Sequence, residues 1–167
     1  MIWGFGRKTK QFVRLMAGQR PDAAAEVHGS KNHADLHGDV TFYAVANGTL
    51  VVAEFLGLPS AKGDCNDRIL GFHIHEGNLC SGNAQDAFAD TGGHFNPGGC
   101  PHPQHAGDMP PLFSNNGYAW QAFFTSRFIP EEIIGRTVVV HDMPDDFKSQ
   151  PSGDAGQKIA CGLIRKK

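Results

Sequence analysis

No apolar stretch in this 167-residue chain approaches the roughly 20 residues that a helix needs to cross a bilayer. Long helix-compatible stretches are also few, which argues against a helical bundle. None of the four cysteines, Cys65, Cys80, Cys100 and Cys161, stands in a C-x-x-C pair, so a thioredoxin-type site or a zinc knuckle finds no support. The spacing of the cysteines leaves their pairing open. Basic runs interleaved with aromatics are missing from the body, so no nucleic-acid partner is expected. An export signal is not visible either, because Arg14 interrupts the apolar segment around Phe12–Met16. No internal repeat or low-complexity tract occurs.

Against these absences stand 21 glycines, 10 prolines and 40% hydrophobic residues. That composition suits an all-β domain with many turns and long ordered loops. The formal charge of −2 hides an asymmetry. Five of the 15 basic residues (Arg7, Lys8, Lys10, Arg14, Arg20) precede the first acid, Asp22, leaving ten against 17 acids, a balance near −7. Residues 1–22 read as a basic extension, expected to be a poorly ordered tail, with a short surface-binding helix as the sharper reading. Residues 23–167 read as the folded domain.

Strand-like segments follow. Ala23–His28 is short, His37–Ala46 alternates, and Asn47-Gly48 marks a hairpin turn into Thr49–Leu58. Arg68–Glu76 is a further strand, followed by a polar, Gly/Pro-rich stretch over 77–112, a length expected of a functional loop. Gly117–Phe124 and Gly135–His141 are strands joined by Ser126–Ile134. A second long loop covers 142–157, and Lys158–Ile164 is the terminal strand. The pattern predicts a Greek-key β-sandwich or barrel of about eight antiparallel strands with two long functional loops.

The chemistry concentrates in histidine. His73 and His75 flank Ile74 in a strand, so both project to one face and can hold one metal; two ordinary strand histidines are the plain alternative. His94, His102, His105 and Asp108 crowd a Gly/Pro-rich loop and offer a closed set of three nitrogens and one oxygen, which suits zinc. Cys100 lies among them as a rival ligand. His141 ends the rigid Val138–Val140 run, a good support for a ligand.

GFHIHE (Gly71–Glu76), GGHFNP (Gly92–Pro97), HAGD (His105–Asp108), GRTVVVH (Gly135–His141) and GDAGQKIACG (Gly153–Gly162) together resemble the motif set of copper/zinc superoxide dismutases, in order and at compatible spacing. The resemblance runs from about Ala23 to Ile164. It implies copper ligands His73, His75 and His141, a bridging imidazolate at His94, and zinc ligands His102, His105 and Asp108. It implies that Asp145 joins a copper-side and a zinc-side histidine by hydrogen bonds. The activity implied is conversion of two superoxide anions to dioxygen and hydrogen peroxide through a Cu(II)/Cu(I) cycle, with a proton carried by His94.

Where the family usually has an arginine at the copper mouth, this chain has Lys158, which keeps the charge but not the planar fork. A working but slower or more salt-sensitive enzyme follows as the expectation, with Lys148 as a lesser contributor to the field. Cys80 lies five residues after His75, as in bacterial members, so the resemblance implies a Cys80–Cys161 disulfide, with Cys65 and Cys100 left as free thiols. A disulfide points to the periplasm or the cell exterior; with no export signal in view, the cytoplasm stays open. A homodimer is left open as well.

A non-catalytic copper or zinc carrier or buffer on the same fold is the alternative function, and a zinc-stabilised β-sandwich that binds a partner is a third. A chain that had lost catalysis should lack a copper ligand, the bridging histidine or the guiding cation, and this one keeps them all. His28, His33 and His37 remain outside the set and read as surface histidines.

Overall fold

The computed structural model describes residues 18–61, 63 and 67–167. Most of the basic extension, residues 1–17, and Cys65 therefore lie outside the described residues.

The first three strands are β1 (Ala23–Gly29), β2 (His37–Val45) and β3 (Gly48–Leu56). They form because alternate residues are apolar: Ala23, Ala25 and Val27 on β1 and Val51, Ala53 and Phe55 on β3 all enter the core. The turn between β2 and β3 falls at Asn47-Gly48. Asn47 takes a left-handed φ of 64°, and Gly48 follows at 151°. A Cβ on Gly48 would lie 2.1 Å from the Thr125 carbonyl oxygen, so the position requires glycine.

Next come β4 (Ile69–Leu70), β5 (Phe72–His75), β6 (Leu112–Phe113), β7 (Ala119–Thr125), β8 (Thr137–His141), β9 (Lys158–Leu163) and β10 (Arg165–Lys166). The main sheet is antiparallel in the order β5-β8-β9-β1-β2-β3-β7, with β10 on β1. Two connections cross it: β3 leads to β5 at the opposite edge, and β7 leads back to β8. These crossings are what make the chain a Greek key. The sheet curls around a core that includes Phe42, Phe55, Phe72, Ile74, Val140 and Ile159. Its Greek-key, all-β character is the one expected from the strand pattern.

Besides the short strands β6 and β10, which the sequence reading left out, two details differ from it. The strand expected over Arg68–Glu76 breaks at Gly71, where β4 pairs with β6 and β5 pairs with β8. A Cβ on Gly71 would come within 2.9 Å of the Ala155 Cβ and 3.2 Å of the His141 Cβ, so the partner changes where the backbones approach closely. Secondly, the connection Ser126–Ile134 contains one helical turn, α1 (Pro130–Ile133). Proline opens it, and the Glu132 carboxylate accepts the Ile129 N–H at 2.9 Å.

On β5, Phe72 and Ile74 enter the core, and on β8, Val138 and Val140 do. His73, His75, Val139 and His141 therefore share the opposite face. The loops over 77–111 and 142–157 cover that face. His73, His75 and His141 are accordingly buried although they sit outside the barrel wall.

Candidate metal centre

Two strands deliver three histidines to this face. His73 and His75 stand two apart on β5, and β8 brings His141 alongside, since β5 and β8 pair Phe72 with Val140 and His75 with Thr137. The long loop adds the rest by pairing with β5: Phe95 N–H donates to the Ile74 carbonyl at 2.8 Å, and Ile74 N–H donates to the Gly107 carbonyl at 2.9 Å. Short bridges then set His94 opposite His75 and Asp108 opposite His73. Gly107 permits the approach, because a Cβ there would sit 2.2 Å from the Ile74 oxygen.

Two groups with metal-ligand geometry result. His73, His75, His94 and His141 form one; His94, His102, His105 and Asp108 form the other; within each, one donor atom per residue lies within 4.8 Å of all the others. His94 belongs to both. Among the described residues no further group of this kind occurs, and His28, His33 and His37 belong to neither. Cys100 is an exposed free thiol outside both groups.

The hydrogen bonds select which ring nitrogen faces each group. His75 Nδ1–H donates to the Gly92 carbonyl at 2.9 Å, and His141 Nδ1–H to the Gly156 carbonyl at 3.3 Å. Their Nε2 atoms are left facing each other at 3.3 Å, two lone pairs that repel unless a cation sits between them. His73 Nε2–H donates to Asp145 Oδ2 at 2.9 Å, leaving Nδ1 without a partner. His102 Nε2–H donates to Asp145 Oδ1, also at 2.9 Å, and its Nδ1, which makes no hydrogen bond, faces Asp108 Oδ2 at 3.2 Å. His94 Nδ1 approaches Asp108 Oδ1 at 2.7 Å and His105 Nδ1 at 3.4 Å, while its buried Nε2 has no partner. A buried polar atom left unsatisfied costs about 1–3 kcal/mol. Three such nitrogens, each aimed into one of the groups, fit a site built for cations.

At four of these histidines burial favours the neutral imidazole, the form that binds metal. It lowers His73 to about 4 against the opposing pull of Asp145, lowers His141 to about 3, and pushes His75 well below its ordinary value. His105 is lowered by burial too. Burial alone would raise Asp145, but hydrogen bonds from His73, the Phe147 N–H and His102 hold it below the ordinary carboxylate range. Asp108 behaves alike: burial opposes ionisation, and the bond with His94 outweighs it.

Lys158 opens β9 opposite His141 across a bulge. Its ammonium is held, donating to Asp86 Oδ2 at 2.9 Å and to the Phe88 carbonyl at 3.2 Å. Asp86 was not among the residues singled out from sequence. Asn83 Oδ1 accepts the N–H groups of Gln85 and Asp86, a local turn that the composition hints at, but nothing local names Lys158 as the partner. Lys148 is exposed. Cys80 and Cys161 form a disulfide. Phe88 packs with Cys161 and Val139, so the segment around Asp86 is fastened to β9 at several points.

The profile of the copper/zinc superoxide dismutase family matches residues 36–164. The chain is 37% identical over 121 residues to superoxide dismutase (Cu-Zn) 2 of Aquifex aeolicus, covering 64% of this chain and 69% of that protein. It is 32% identical over 146 residues to superoxide dismutase (Cu-Zn) of Deinococcus radiodurans, covering 77% and 76%. With the extracellular superoxide dismutase (Cu-Zn) of Rattus norvegicus it shares 35% identity over 117 residues, which span only 45% of that protein. The solved Cu/Zn superoxide dismutase from Brucella abortus superposes with a TM-score of 0.69 at 22% identity, covering 84% of this chain and 98% of that one, a likeness of fold.

Proposed function

The chain belongs to the copper/zinc superoxide dismutase family, and we propose that His73, His75, His94 and His141 hold its copper while His94, His102, His105 and Asp108 hold its zinc. The reaction is dismutation of superoxide to dioxygen and hydrogen peroxide. Bound copper supplies a one-electron couple and zinc a fixed charge without redox chemistry.

The residues do the rest. Asp145 accepts from His73 and His102, so one carboxylate orients a ligand of each metal and fixes its tautomer. His94 is the only residue shared by both groups, and it is placed to hold a proton at Nε2 and to return it. The backbone carbonyls of Gly92 and Gly156 fix His75 and His141 with Nε2 inward. The loops bury the ligand histidines, and Lys158, opposite His141, supplies positive charge for an anionic substrate.

The shared position of His94 is the observation that carries this reading over a carrier or buffer, since storing either metal needs no common ligand. Metal content and superoxide decay, measured on protein purified without added metals, test it. About one copper and one zinc per chain with fast decay is expected. Both metals without accelerated decay would return the carrier reading, and zinc alone without activity would return the zinc-stabilised β-sandwich that binds a partner.

We place the protein in an oxidising compartment, the periplasm or the cell exterior, with support from the Cys80–Cys161 disulfide. We also propose a homodimer. Ile69 and Phe113, paired across the β4/β6 ladder, and Trp120 on the edge strand β7 are exposed apolar side chains that such contact would cover. Sedimentation velocity giving a single-chain mass at micromolar concentration would remove the dimer.

A further inference from the structure

Zinc ligands His102, His105 and Asp108 fall within seven residues of one another on a loop segment that pairs with β5 only at its end, through Gly107 and Asp108, so something else must hold the main chain before that point. Two side chains from elsewhere in the fold do so. Gln150, in the second long loop, accepts the His102 N–H at 3.0 Å and donates its amide to the His102 carbonyl at 2.8 Å. Arg127, between β7 and α1, directs Nη1 at three carbonyl oxygens: Pro103 at 3.0 Å, His105 at 3.1 Å and Asp108 at 3.4 Å.

Carbonyl oxygens that converge on one point repel each other as aligned dipoles. A guanidinium, permanently charged and hydrogen-bonding through a rigid fork, makes that convergence favourable. The three carbonyls belong to two zinc ligands and to the residue that follows the third. Their common anchor fixes the curvature of residues 102–108, on which the direction of each ligand side chain depends.

We propose that Arg127 is a positioning residue of the zinc site, preorganising His105 and Asp108 through their backbone while Gln150 does the same for His102. The inference rests on the assignment of His94, His102, His105 and Asp108 to zinc. Preorganisation of this kind is worth metal affinity, because ordering the loop no longer falls on the binding step. Outer groups that orient ligands typically contribute about 10–100-fold in metal affinity.

The test measures zinc affinity of the metal-free full chain by competition with a chromophoric chelator, for wild type, R127M, R127K and H105A. R127M is expected to raise the zinc Kd by about 10–100-fold, with R127K between it and wild type because an ammonium can donate to carbonyls but lacks the planar fork. Cobalt(II) loaded in place of zinc should show weakened or shifted d–d bands in R127M. The zinc-induced rise in Tm should shrink while the Tm of the metal-free chain moves little. An unchanged zinc Kd in R127M alongside a large loss in H105A overturns the positioning role. So does a fall in the metal-free Tm with the zinc-induced rise intact. Unchanged affinity in H105A would overturn the zinc assignment itself. Should R127M fail to fold, R127K carries the same readouts.

Discussion

Asp145 is the residue on which both metal groups depend. It is buried, accepts Nε2–H from His73 at 2.9 Å and from His102 at 2.9 Å, and receives the Phe147 N–H at 2.7 Å. Asp145→Asn presents an amide N–H where one imidazole N–H must be accepted. One of the two histidines therefore loses its tautomer. Both metal affinities are expected to fall, by about 10–100-fold for the site whose histidine is displaced, and quantifying copper and zinc after dialysis against a chelator reads this. Retention of both metals would count against the bridge.

The same buried imidazoles make the metal-free protein acid-sensitive. His73 and His141 have folded values of about 4 and 3, below the ordinary 6.5, so the unfolded chain binds protons first as pH falls. Their contribution to stability is complete above about 6.5 and is lost progressively down to about 3. The Tm of the metal-free protein should fall steadily over that window, and a flat Tm between pH 6.5 and 4 would contradict the buried neutral imidazoles. Histidine was the legible residue type, because imidazole clusters carry their chemistry in their identity. Asp86, Arg127 and Gln150 were not legible, because each owes its role to a partner at least 19 residues away along the chain.

The strands were legible wherever one face is buried and the other is not. The Asn47-Gly48 turn between two apolar runs announces β3, and Val51, Ala53 and Phe55 are the face of it that enters the core. The break at Gly71 was hidden because Leu70, Phe72, His73, Ile74 and His75 are all buried, so no exposed residue marks the point where the partner changes from β6 to β8. Burial of both faces there is itself a consequence of the loops that roof the site.

How the first of those loops is fastened yields a prediction at this scale. The disulfide spans 81 residues of sequence, and Phe88 packs against Cys161 beside it. Cys80→Ser should lower stability by about 2–4 kcal/mol, mostly by releasing the unfolded chain. Urea unfolding of wild type and variant measures it. Equal midpoints would mean that the packing around Phe88 and the Lys158–Asp86 pair hold the loop without the covalent link.

At the scale of the molecule, the sequence from Asp22 onward carries a charge balance near −7, and superoxide is an anion. Capture then depends on local charge at the mouth, because clefts focus field that the net charge opposes. The expectation from sequence was a lysine in place of arginine, keeping the charge but not the planar fork. In the fold, Lys158 donates to Asp86 at 2.9 Å, so the local source is a pair and its field falls off faster than that of a single cation. Lys158→Ala leaves Asp86 uncompensated beside the mouth. It should lower kcat/KM several-fold at low ionic strength, and the loss should narrow as the Debye length contracts from about 30 Å at 0.01 M to about 3 Å at 1 M. Asp86→Asn does the reverse: it keeps an oxygen for the Lys158 N–H, removes the opposing charge, and should raise kcat/KM at low salt with a steeper fall as salt is added. Stopped-flow superoxide decay across ionic strength, on fully metallated protein, separates the two. If Lys158→Ala leaves both the rate and its salt slope unchanged, the mouth charge has no part in capture. If only Asp86→Asn is silent, the pair fixes the lysine in place without restraining its field.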